Sequence, residues 1–312
     1  MSCGKPPEEC KCFKKNKIKG TLSKTTLPKK NAFAIETEPD FPKLHTLTIA
    51  TGKRGGGKSV AIANLIKKCY DRKYFDRVFL ITPTYYSNKE IWDIADINED
   101  DIFEPSIHCI RDIIKIVDAE REEWDLFEYK KKLYKQFEKD IHKPVIKMDP
   151  ELLIEYNEHS MFERKPEWKY GPDREHPPRL ACIIDDCLST DVMARRTAGL
   201  TNLAIRHRHV GKGLGISLFM LVQSYCAQGG VPRVIRENCT HLMLFKINDE
   251  NQIKKVKEEA DLPVSDEDFL KMCNYCHCQP YNFLYLDFAP KDESKRFRSG
   301  FGEYLHPNSL NE

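Results

Sequence analysis

A chain of 312 residues is long enough for one large or two small domains, and its 40% hydrophobic and 31% charged residues exclude a largely disordered protein. The formal net charge of +2 neither requires nor excludes a polyanionic partner. The longest strongly apolar stretch, residues 216–222, is far shorter than the roughly 20 residues of a membrane-spanning helix, and the lysine-rich start lacks the apolar segment of a signal peptide. These features predict an untargeted cytosolic protein without a transmembrane segment.

The basic charge is concentrated at the N-terminus. Residues 1–30 contain nine lysines against two glutamates, a net charge of +7, which leaves −5 for the other 282 residues. The stretch 1–42 mixes Lys, Pro and Thr without hydrophobic periodicity, so we predict a basic flexible arm. Such an arm either contacts nucleic-acid phosphates or is simply a solvated charged segment.

From residue 43 the sequence predicts one ordered core, 43–312, in which strands and helices alternate. Between the second and third strands lies a charge-rich insertion, 87–178, with a long helical pattern around 110–141. The strands are apolar almost throughout, which is typical of a parallel sheet buried on both faces. We therefore expect an α/β fold with a mainly parallel central sheet, helices on both faces and a mostly helical insertion. The predicted strands are 44–50, 77–82, 179–186, 215–222, 241–247 and 281–287, and the predicted helices outside the insertion are 58–66, 191–209, 231–238, 249–260 and 264–272.

A glycine-rich stretch separates the first predicted strand from the first predicted helix. Residues 52–59 fit the pattern G-x-x-x-x-G-K-[ST]. In such a loop the backbone N–H groups surround a β-phosphate, Lys58 reaches the β- and γ-phosphates, and Ser59 supplies a hydroxyl to Mg²⁺. A glycine-rich surface turn is the alternative, but the position between a strand and a helix favours phosphate binding. The predicted nucleotide-binding residues are Gly52, Lys53, Arg54, Gly55, Gly56, Gly57, Lys58, Ser59 and Val60.

Two adjacent carboxylates end the strand predicted at 179–186. Asp185 is suited to hold the water shell of Mg²⁺, and Asp186 is suited to accept a proton from an attacking water. Without the phosphate loop, an ordinary solvated loop or a helix cap would explain the same pair. With the loop, the pair predicts the metal-binding and catalytic acids of one site.

Gln223 follows the apolar strand predicted at 215–222. If that strand lies between the strand before the phosphate loop and the strand before Asp185, its polar end faces the γ-phosphate and can orient the water. We therefore predict a catalytic role for Gln223, which requires this strand order.

These elements together resemble a known family. The chain is similar to the genome-packaging ATPases of nucleocytoplasmic large DNA viruses, including the poxvirus-type packaging ATPases, which belong to the FtsK–HerA branch of the additional-strand P-loop ATPases. The similarity spans 44–305 apart from the insertion. It is carried by the phosphate loop, the strand ending in Asp-Asp, the runs 206–209, 215–224 and 232–238, and the terminal segments 283–287 and 296–298.

The resemblance implies a RecA-like core and ATP hydrolysis with Mg²⁺ that moves double-stranded DNA. It also implies a homo-oligomeric ring, a pentamer or hexamer, that loads a genome into a capsid and docks on a capsid or inner-membrane portal component. The expected locations are the viral factory in the host-cell cytoplasm and the virion. In the family's terms, Lys58 and Ser59 contact phosphate and Mg²⁺, Asp185 is the metal-shell acid, Asp186 the catalytic carboxylate and Gln223 the sensor. Most FtsK–HerA relatives have Glu where Asp186 stands.

A ring ATPase usually completes its transition-state charge with an arginine from a neighbouring subunit. The sequence offers four arginines near predicted strand ends, of which we favour Arg208 and Arg236 over Arg206 and Arg233. Surface ion pairs are the alternative role for each of them.

For contact with DNA phosphates, the candidates within the core are Arg195, Arg196 and Lys212. His207 and His209 are expected to be structural rather than metal ligands.

The cysteines allow a different kind of site. Cys273, Cys276 and Cys278, with His277, have the spacing of half a zinc site, and Cys3, Cys10 or Cys12 could complete it. Nothing in the sequence identifies a fourth ligand. We therefore favour reduced thiols over zinc and expect no disulfides.

Two other functions fit parts of the sequence. A small-molecule or nucleotide kinase could use the same phosphate loop as a monomer without DNA. A DNA-binding structural protein could bind nucleotide without hydrolysing it. Hydrolysis of ATP that DNA stimulates would distinguish a DNA-moving ATPase from both of these alternatives.

Overall fold

The computed structural model describes residues 35–307, apart from 36, 39–40, 145–147, 173, 189, 194–198, 227–229 and 248. Within this part of the chain, strands and helices follow one another much as the sequence predicts. The strands are β1 Leu47–Thr51, β2 Arg77–Ile81, β3 Ile102–Phe103, β4 Leu180–Asp185, β5 Ser217–Val222, β6 His241–Phe245, β7 Phe283–Asp287, β8 Phe297–Ser299 and β9 Glu303–Leu305. The helices are α1 Lys58–Asp71, α2 Lys89–Ile94, α3 Cys109–Asp140, α4 Pro150–Glu158, α5 Gly199–Arg206, α6 Val210–Gly213, α7 Arg233–Glu237, α8 Glu250–Glu259 and α9 Asp266–His277.

All nine of these strands join one sheet in the order β3-β2-β4-β5-β1-β6-β7-β8-β9. The pairs from β3 to β6 are parallel, and β7, β8 and β9 continue the sheet as antiparallel strands. The prediction of an α/β fold with a mainly parallel sheet is confirmed. The position of β5 between β1 and β4, which the predicted role of Gln223 requires, is observed as well.

Alternate residues of each strand enter two separate apolar layers. On one face, Leu80, Phe219 and Met243 pack with residues of α1 and α2. On the other face, Leu218 and Leu242 pack with α3, α5, α8 and α9. Because side chains alternate across a strand, continuously apolar strands bury both faces under helices.

The segment 87–178 is mostly helical, and part of it belongs to the main fold. Its strand β3 extends the sheet beside β2, and the first half of α3 buries Ile110, Ile113 and Val117 in the main core. The second half of α3 packs with α4 in a small separate cluster around Phe137 and Tyr156. The two-residue strand β3 gives too little periodicity to be visible in the sequence.

A buried ionic network joins this segment to β2. Arg77 donates to both carboxylate oxygens of Asp101 at 2.7–3.0 Å and to Glu120 at 2.9 Å, and Glu120 also accepts from Lys169 and Tyr170. Only 1% of Glu120 is exposed. Removing one partner of such a network leaves an uncompensated buried charge, so the network holds α3 in place against β2.

The structure differs from the sequence prediction at two boundaries. Ile35 pairs with Leu44 and the ring of Phe41 contacts Tyr74, so contacts with the core occur within the segment assigned to the arm. In the range 191–209, where the sequence predicts a single helix, the described residues form a 3₁₀ turn at 191–193 and the separate helix α5. In the described part of the chain, no helix is both long and apolar enough to cross a membrane.

Candidate functional site

The loop between β1 and α1 leaves the start of α1 open to an anion. Gly57 precedes the helix with φ +93°, and within the described residues no side chain caps the first turn and no acidic side chain lies in it. The N–H groups of a helix's first turn lack partners inside the helix, and the helix dipole is positive there. The 14-residue helix α1 therefore offers the phosphate-binding end that the sequence pattern predicts.

Gly52 starts the loop where it passes close to β6. A side chain at this position would place its Cβ 2.5 Å from the Cβ of Phe245. Gly52→Ala is therefore expected to lower the free energy of unfolding by about 1–3 kcal/mol, because the loop or β6 must shift. Urea denaturation measures this, with Gly302→Ala as the control because no atom lies within 4 Å of its added Cβ. Equal losses in the two variants would show that the close approach at Gly52 is unimportant.

Lys58 turns its side chain back into the loop. Its Nζ donates to the carbonyl oxygens of Gly52 at 2.8 Å and Lys53 at 2.9 Å. Burial lowers the pKa of this ammonium group, while the nearby carboxylates of Asp185 and Asp186 act in the opposite direction. A buried cation at the centre of a ring of backbone groups is suited to bind phosphate oxygens.

Asp185 ends β4 and is almost completely buried. Its carboxylate accepts from the hydroxyl of Ser59 at 3.5 Å. Burial raises its pKa to about 6, and the neighbouring Asp186 adds to the rise, while Lys58 and Ser59 oppose it. The serine hydroxyl and the carboxylate thus meet between β4 and α1, and this oxygen pair fits Mg²⁺, which prefers oxygen ligands and usually keeps several waters.

Asp186 is exposed and has φ +54°, directly after the strand. Its N–H donates to the carbonyl of Leu221 at 3.3 Å, and its carboxylate accepts from Nε2 of Gln223 at 3.0 Å. The backbone turn brings the second acid of the pair to the end of β5. The carboxylate and the Gln223 amide therefore stand side by side at the edge where β4 and β5 end.

These residues line one cavity of about 650 Å³ at the carboxyl ends of the parallel strands. Its walls include the loop from Arg54 to Val60, both acids and Gln223. The loop's first two residues, Gly52 and Lys53, contribute through the carbonyls that hold Lys58. The sequence did not single out six further lining residues, which are Ala61, Thr84, Asn88, Ile91, Leu221 and Tyr281.

Thr84 and Asn88 belong to the segment after β2. The amide of Asn88 donates to the hydroxyl of Thr84 at 3.1 Å. Both residues follow a parallel strand, and ligands bind at the edge of the sheet where the carboxyl ends of parallel strands meet. This position could have identified them from the sequence.

The chain was compared with known proteins. No family model and no curated protein sequence matches it. Solved structures with a related arrangement include EssC ATPases 2 and 3 from Geobacillus thermodenitrificans, with 14% identity, a TM-score of 0.43 and coverage of 84% of this chain and 40% of that one. B204, the DNA-packaging ATPase from Sulfolobus turreted icosahedral virus, has 12% identity, a TM-score of 0.42 and coverage of 84% and 98%. The pCW3 conjugation coupling protein TcpA has 15% identity, a TM-score of 0.40 and coverage of 85% and 62%.

Similarities of this size do not assign the chain to a family. The chain also spans well under half of the EssC structure.

Arg236 lies in another cavity and is engaged within its own chain. Its guanidinium donates to the carbonyls of Tyr225 and Val231 at 3.1 and 2.7 Å and pairs with Glu259 at 2.7 Å. Only 12% of its side chain is exposed. An arginine held this way fixes α7 against α8. Its predicted role as a catalytic arginine at a neighbouring subunit's site stays a prediction.

The other candidate arginines are exposed. Arg233 pairs with Glu237 one helical turn away at 2.8 Å, while Arg206 and Arg208 lie at the end of α5 and just after it. None of the three lines the cavity described above. That Arg208 acts at the site of a neighbouring subunit stays a prediction.

Of the residues suggested for DNA contact, Arg195 and Arg196 lie outside the described residues, as does the arm up to residue 34. Lys212 is exposed and lies 3.6 Å from the equally exposed Glu122 on α3. An exposed pair of this kind contributes little stability, so Lys212 stays available to another anion.

The cysteine-rich end of α9 is built into the core. Cys273 and Cys276 are buried, and burial raises the pKa of Cys273 to about 12 and that of Cys276 to about 11, so both remain protonated thiols. His277 donates from Nε2 to the carbonyl of Leu244 at 2.9 Å. Among the described residues, no three His, Cys, Asp or Glu side chains form a group that could hold a metal ion. Cys3, Cys10 and Cys12 lie outside that part of the chain.

Proposed function

We propose that this chain is an ATP hydrolase that moves double-stranded DNA as a homo-oligomeric ring, in the packaging of a viral genome. One observation carries the hydrolase: Lys58, Ser59, Asp185, Asp186 and Gln223, which lie up to 165 positions apart in the sequence, meet at one cavity. DNA movement and packaging are supported by the sequence resemblance to the packaging ATPases.

Binding begins with the phosphates of ATP at the loop. The N–H groups at the start of α1 and the ammonium of Lys58 face the anion, and each charged hydrogen bond of this kind is worth about 1.5–3 kcal/mol. Ser59 Oγ and the waters held by Asp185 would carry Mg²⁺, which, when bound, neutralises charge on the phosphate oxygens. The residues themselves position the triphosphate with its γ-end beside Asp186.

Hydrolysis then needs a water aligned with the γ-phosphate. The oxygen of this water forms a bond to the γ-phosphorus while the bond from that phosphorus to the bridging β–γ oxygen breaks, which yields ADP and phosphate. The carboxylate of Asp186 accepts the proton that the water loses. The Gln223 amide, which donates to Asp186 at 3.0 Å, holds that carboxylate and orients the water. Asp is one methylene shorter than the Glu of most FtsK–HerA relatives. The backbone of Asp186 is held at the end of β5 by its hydrogen bond to Leu221, and its carboxylate accepts from Gln223.

In a ring, a neighbouring subunit would supply Arg208 to the transition state, so that hydrolysis depends on assembly. Lys212 and the lysines of the arm would contact DNA phosphates rather than base edges, as a sequence-independent motor requires. The stoichiometry proposed from the resemblance is a pentamer or hexamer, docked on a capsid or inner-membrane portal component, in the viral factory and the virion.

Duplex DNA is expected to raise the rate at which the wild-type chain releases phosphate from ATP. Asp186→Asn is expected to lower that rate about 10²- to 10⁴-fold, because the amide cannot accept the proton. ATP binding, measured by calorimetry, should change little, since Lys58, Ser59 and Asp185 remain. Asp71→Asn, an exposed change of the same type on α1, is the control.

Three results would contradict the proposal in different ways. Turnover that ignores DNA and comes from a monomer, judged by the mass of the assembly with duplex DNA and a non-hydrolysable ATP analogue, would favour a kinase. Full turnover in Asp186→Asn would remove the assigned base. ATP binding without any turnover in the wild-type chain would favour a structural DNA-binding protein.

A further inference from the structure

Tyr281 lines the nucleotide cavity but has no part in the hydrolysis scheme. It lies two residues before β7, and 73% of the residue is exposed, although aromatic residues usually bury most of their surface. Its backbone has φ +63°, a left-handed conformation that is uncommon for a residue other than glycine. Such a conformation is a reason to look for a function of the exposed ring.

The side chain of Tyr281 lies against the end of the phosphate loop. A Cβ added to Gly57 would come within 3.0 Å of the Tyr281 Cβ and 3.2 Å of its Cδ1. Only a glycine at position 57 therefore leaves room for this tyrosine. The ring is thus fixed beside the residue that opens α1, where the phosphates of a nucleotide would be bound.

The strand order gives the direction in which a nucleotide would extend from the loop. On one side of β1 lie β5 and β4, which are followed by Gln223 and Asp186, the residues that face the γ-phosphate in the proposed scheme. On the other side lie β6 and β7, where Phe245 pairs with Phe283. Because β7 is antiparallel to β6, its beginning, and with it Tyr281, reaches the same edge of the sheet as the phosphate loop. Adjacent strands are about 4.8 Å apart, so Tyr281 lies roughly 10 Å across the sheet from β1, away from the acids.

The cavity lining includes a second exposed apolar residue, Val60. This residue follows Ser59 on α1 and is 41% exposed, so two large apolar residues of the described chain face solvent at the same cavity. A nucleobase has two flat apolar faces, and an exposed tyrosine ring or valine side chain is suited to cover such a face.

We propose that Tyr281 stacks on the base of the bound nucleoside triphosphate, with Val60 as the apolar surface beside it. The inference rests on the proposed nucleotide binding and adds the position of the base: the triphosphate runs across β1, with its γ-end at Asp186 and its base at Tyr281. Tyr281 is thus a binding residue, and the bond-breaking step does not need it.

The test compares ATP with inorganic tripolyphosphate, which has the phosphate chain but no base. Tyr281→Ala is expected to weaken ATP binding about tenfold in calorimetric titrations, because base–aromatic stacking is worth about that factor or more. Its affinity for tripolyphosphate should equal that of the wild-type chain. Tyr281→Phe, which keeps the ring, should bind ATP like the wild type. Tyr129→Ala, which removes an exposed tyrosine on α3 outside the cavity lining, is the matched control.

Each other outcome would overturn the inference for a separate reason. Equal weakening of ATP and tripolyphosphate would mean that Tyr281 supports the loop and does not touch the base. Unchanged ATP binding would mean that the ring is not in contact with the nucleotide. If Tyr281→Phe lost as much ATP affinity as Tyr281→Ala, the effect would come from the hydroxyl group and not from the ring. A wild-type chain that binds neither ATP nor tripolyphosphate would overturn the proposed function itself.

Discussion

Lys58→Ala is expected to remove ATP binding and hydrolysis together. The Nζ of Lys58 is held between two loop carbonyls and the residue lines the cavity, so it is placed to give charged hydrogen bonds to the phosphates. Two such bonds to phosphate oxygens correspond to about 3–6 kcal/mol, or about 10²- to 10⁴-fold in affinity. Calorimetric titration with ATP and phosphate release with duplex DNA measure the two losses.

Lys67→Ala provides the matched control for this variant. It removes the same charge from the exposed face of the same helix, α1, outside the cavity. We expect ATP binding within about twofold of the wild type in this control, because surface changes away from a site usually have small effects. Undiminished turnover in Lys58→Ala, or an equal loss in Lys67→Ala, would exclude the loop as the ATP site and remove the hydrolase and kinase interpretations together.

Much of the site could be predicted because each element has a local signal. Glycines followed by Lys58 and Ser59 encode a loop and a helix start, and Asp185 and Gln223 each end an apolar strand. In a parallel sheet all these ends meet at one edge, so the positions in the sequence were enough to bring them together. The role of Gln223 required β5 to lie between β1 and β4, which is the observed order.

Tyr281 could not be found by the same reasoning. It precedes its strand, and it reaches the site only because β7 runs antiparallel to its neighbour. The hydrophobic pattern of 281–287 predicts a strand but carries no information about its direction. A residue before a parallel strand would lie at the opposite edge of the sheet, so nothing in the sequence pattern pointed to Tyr281.

The intrachain contacts of Arg236 could not be predicted from the sequence. Its guanidinium donates to the carbonyls of Tyr225 and Val231 and to the carboxylate of Glu259. These partners are 5 to 23 residues away in the sequence, and two of them are backbone atoms. Hydrogen bonds to backbone carbonyls depend on how the chain folds, so they cannot be inferred from the types of the residues involved.

Asp185→Asn is expected to stabilise the fold while it abolishes turnover. Burial and Asp186 raise the pKa of Asp185 to about 6, above its ordinary value of 3.8. For an acid with a raised pKa, the folded state binds the proton more tightly than the unfolded state does. The ionised carboxylate therefore destabilises the fold above about pH 6, and this penalty disappears as the pH falls below about 4. Asparagine resembles the protonated acid and keeps an oxygen that can accept from Ser59.

Urea denaturation at about pH 8 should therefore give Asp185→Asn a free energy of unfolding higher than that of the wild type, by up to roughly 3 kcal/mol. At about pH 4 the two proteins should be equally stable, since the wild-type carboxyl is then protonated as well. Turnover should be lost in the variant, because the amide is a poor substitute for the carboxylate that orders the waters around Mg²⁺. Asp71→Asn, which changes an exposed carboxylate, should alter neither stability nor turnover. A variant less stable than the wild type at about pH 8 would show that Asp185 supports the fold; a more stable and inactive one would show that a buried charge is retained there at the expense of stability because the chemistry requires it.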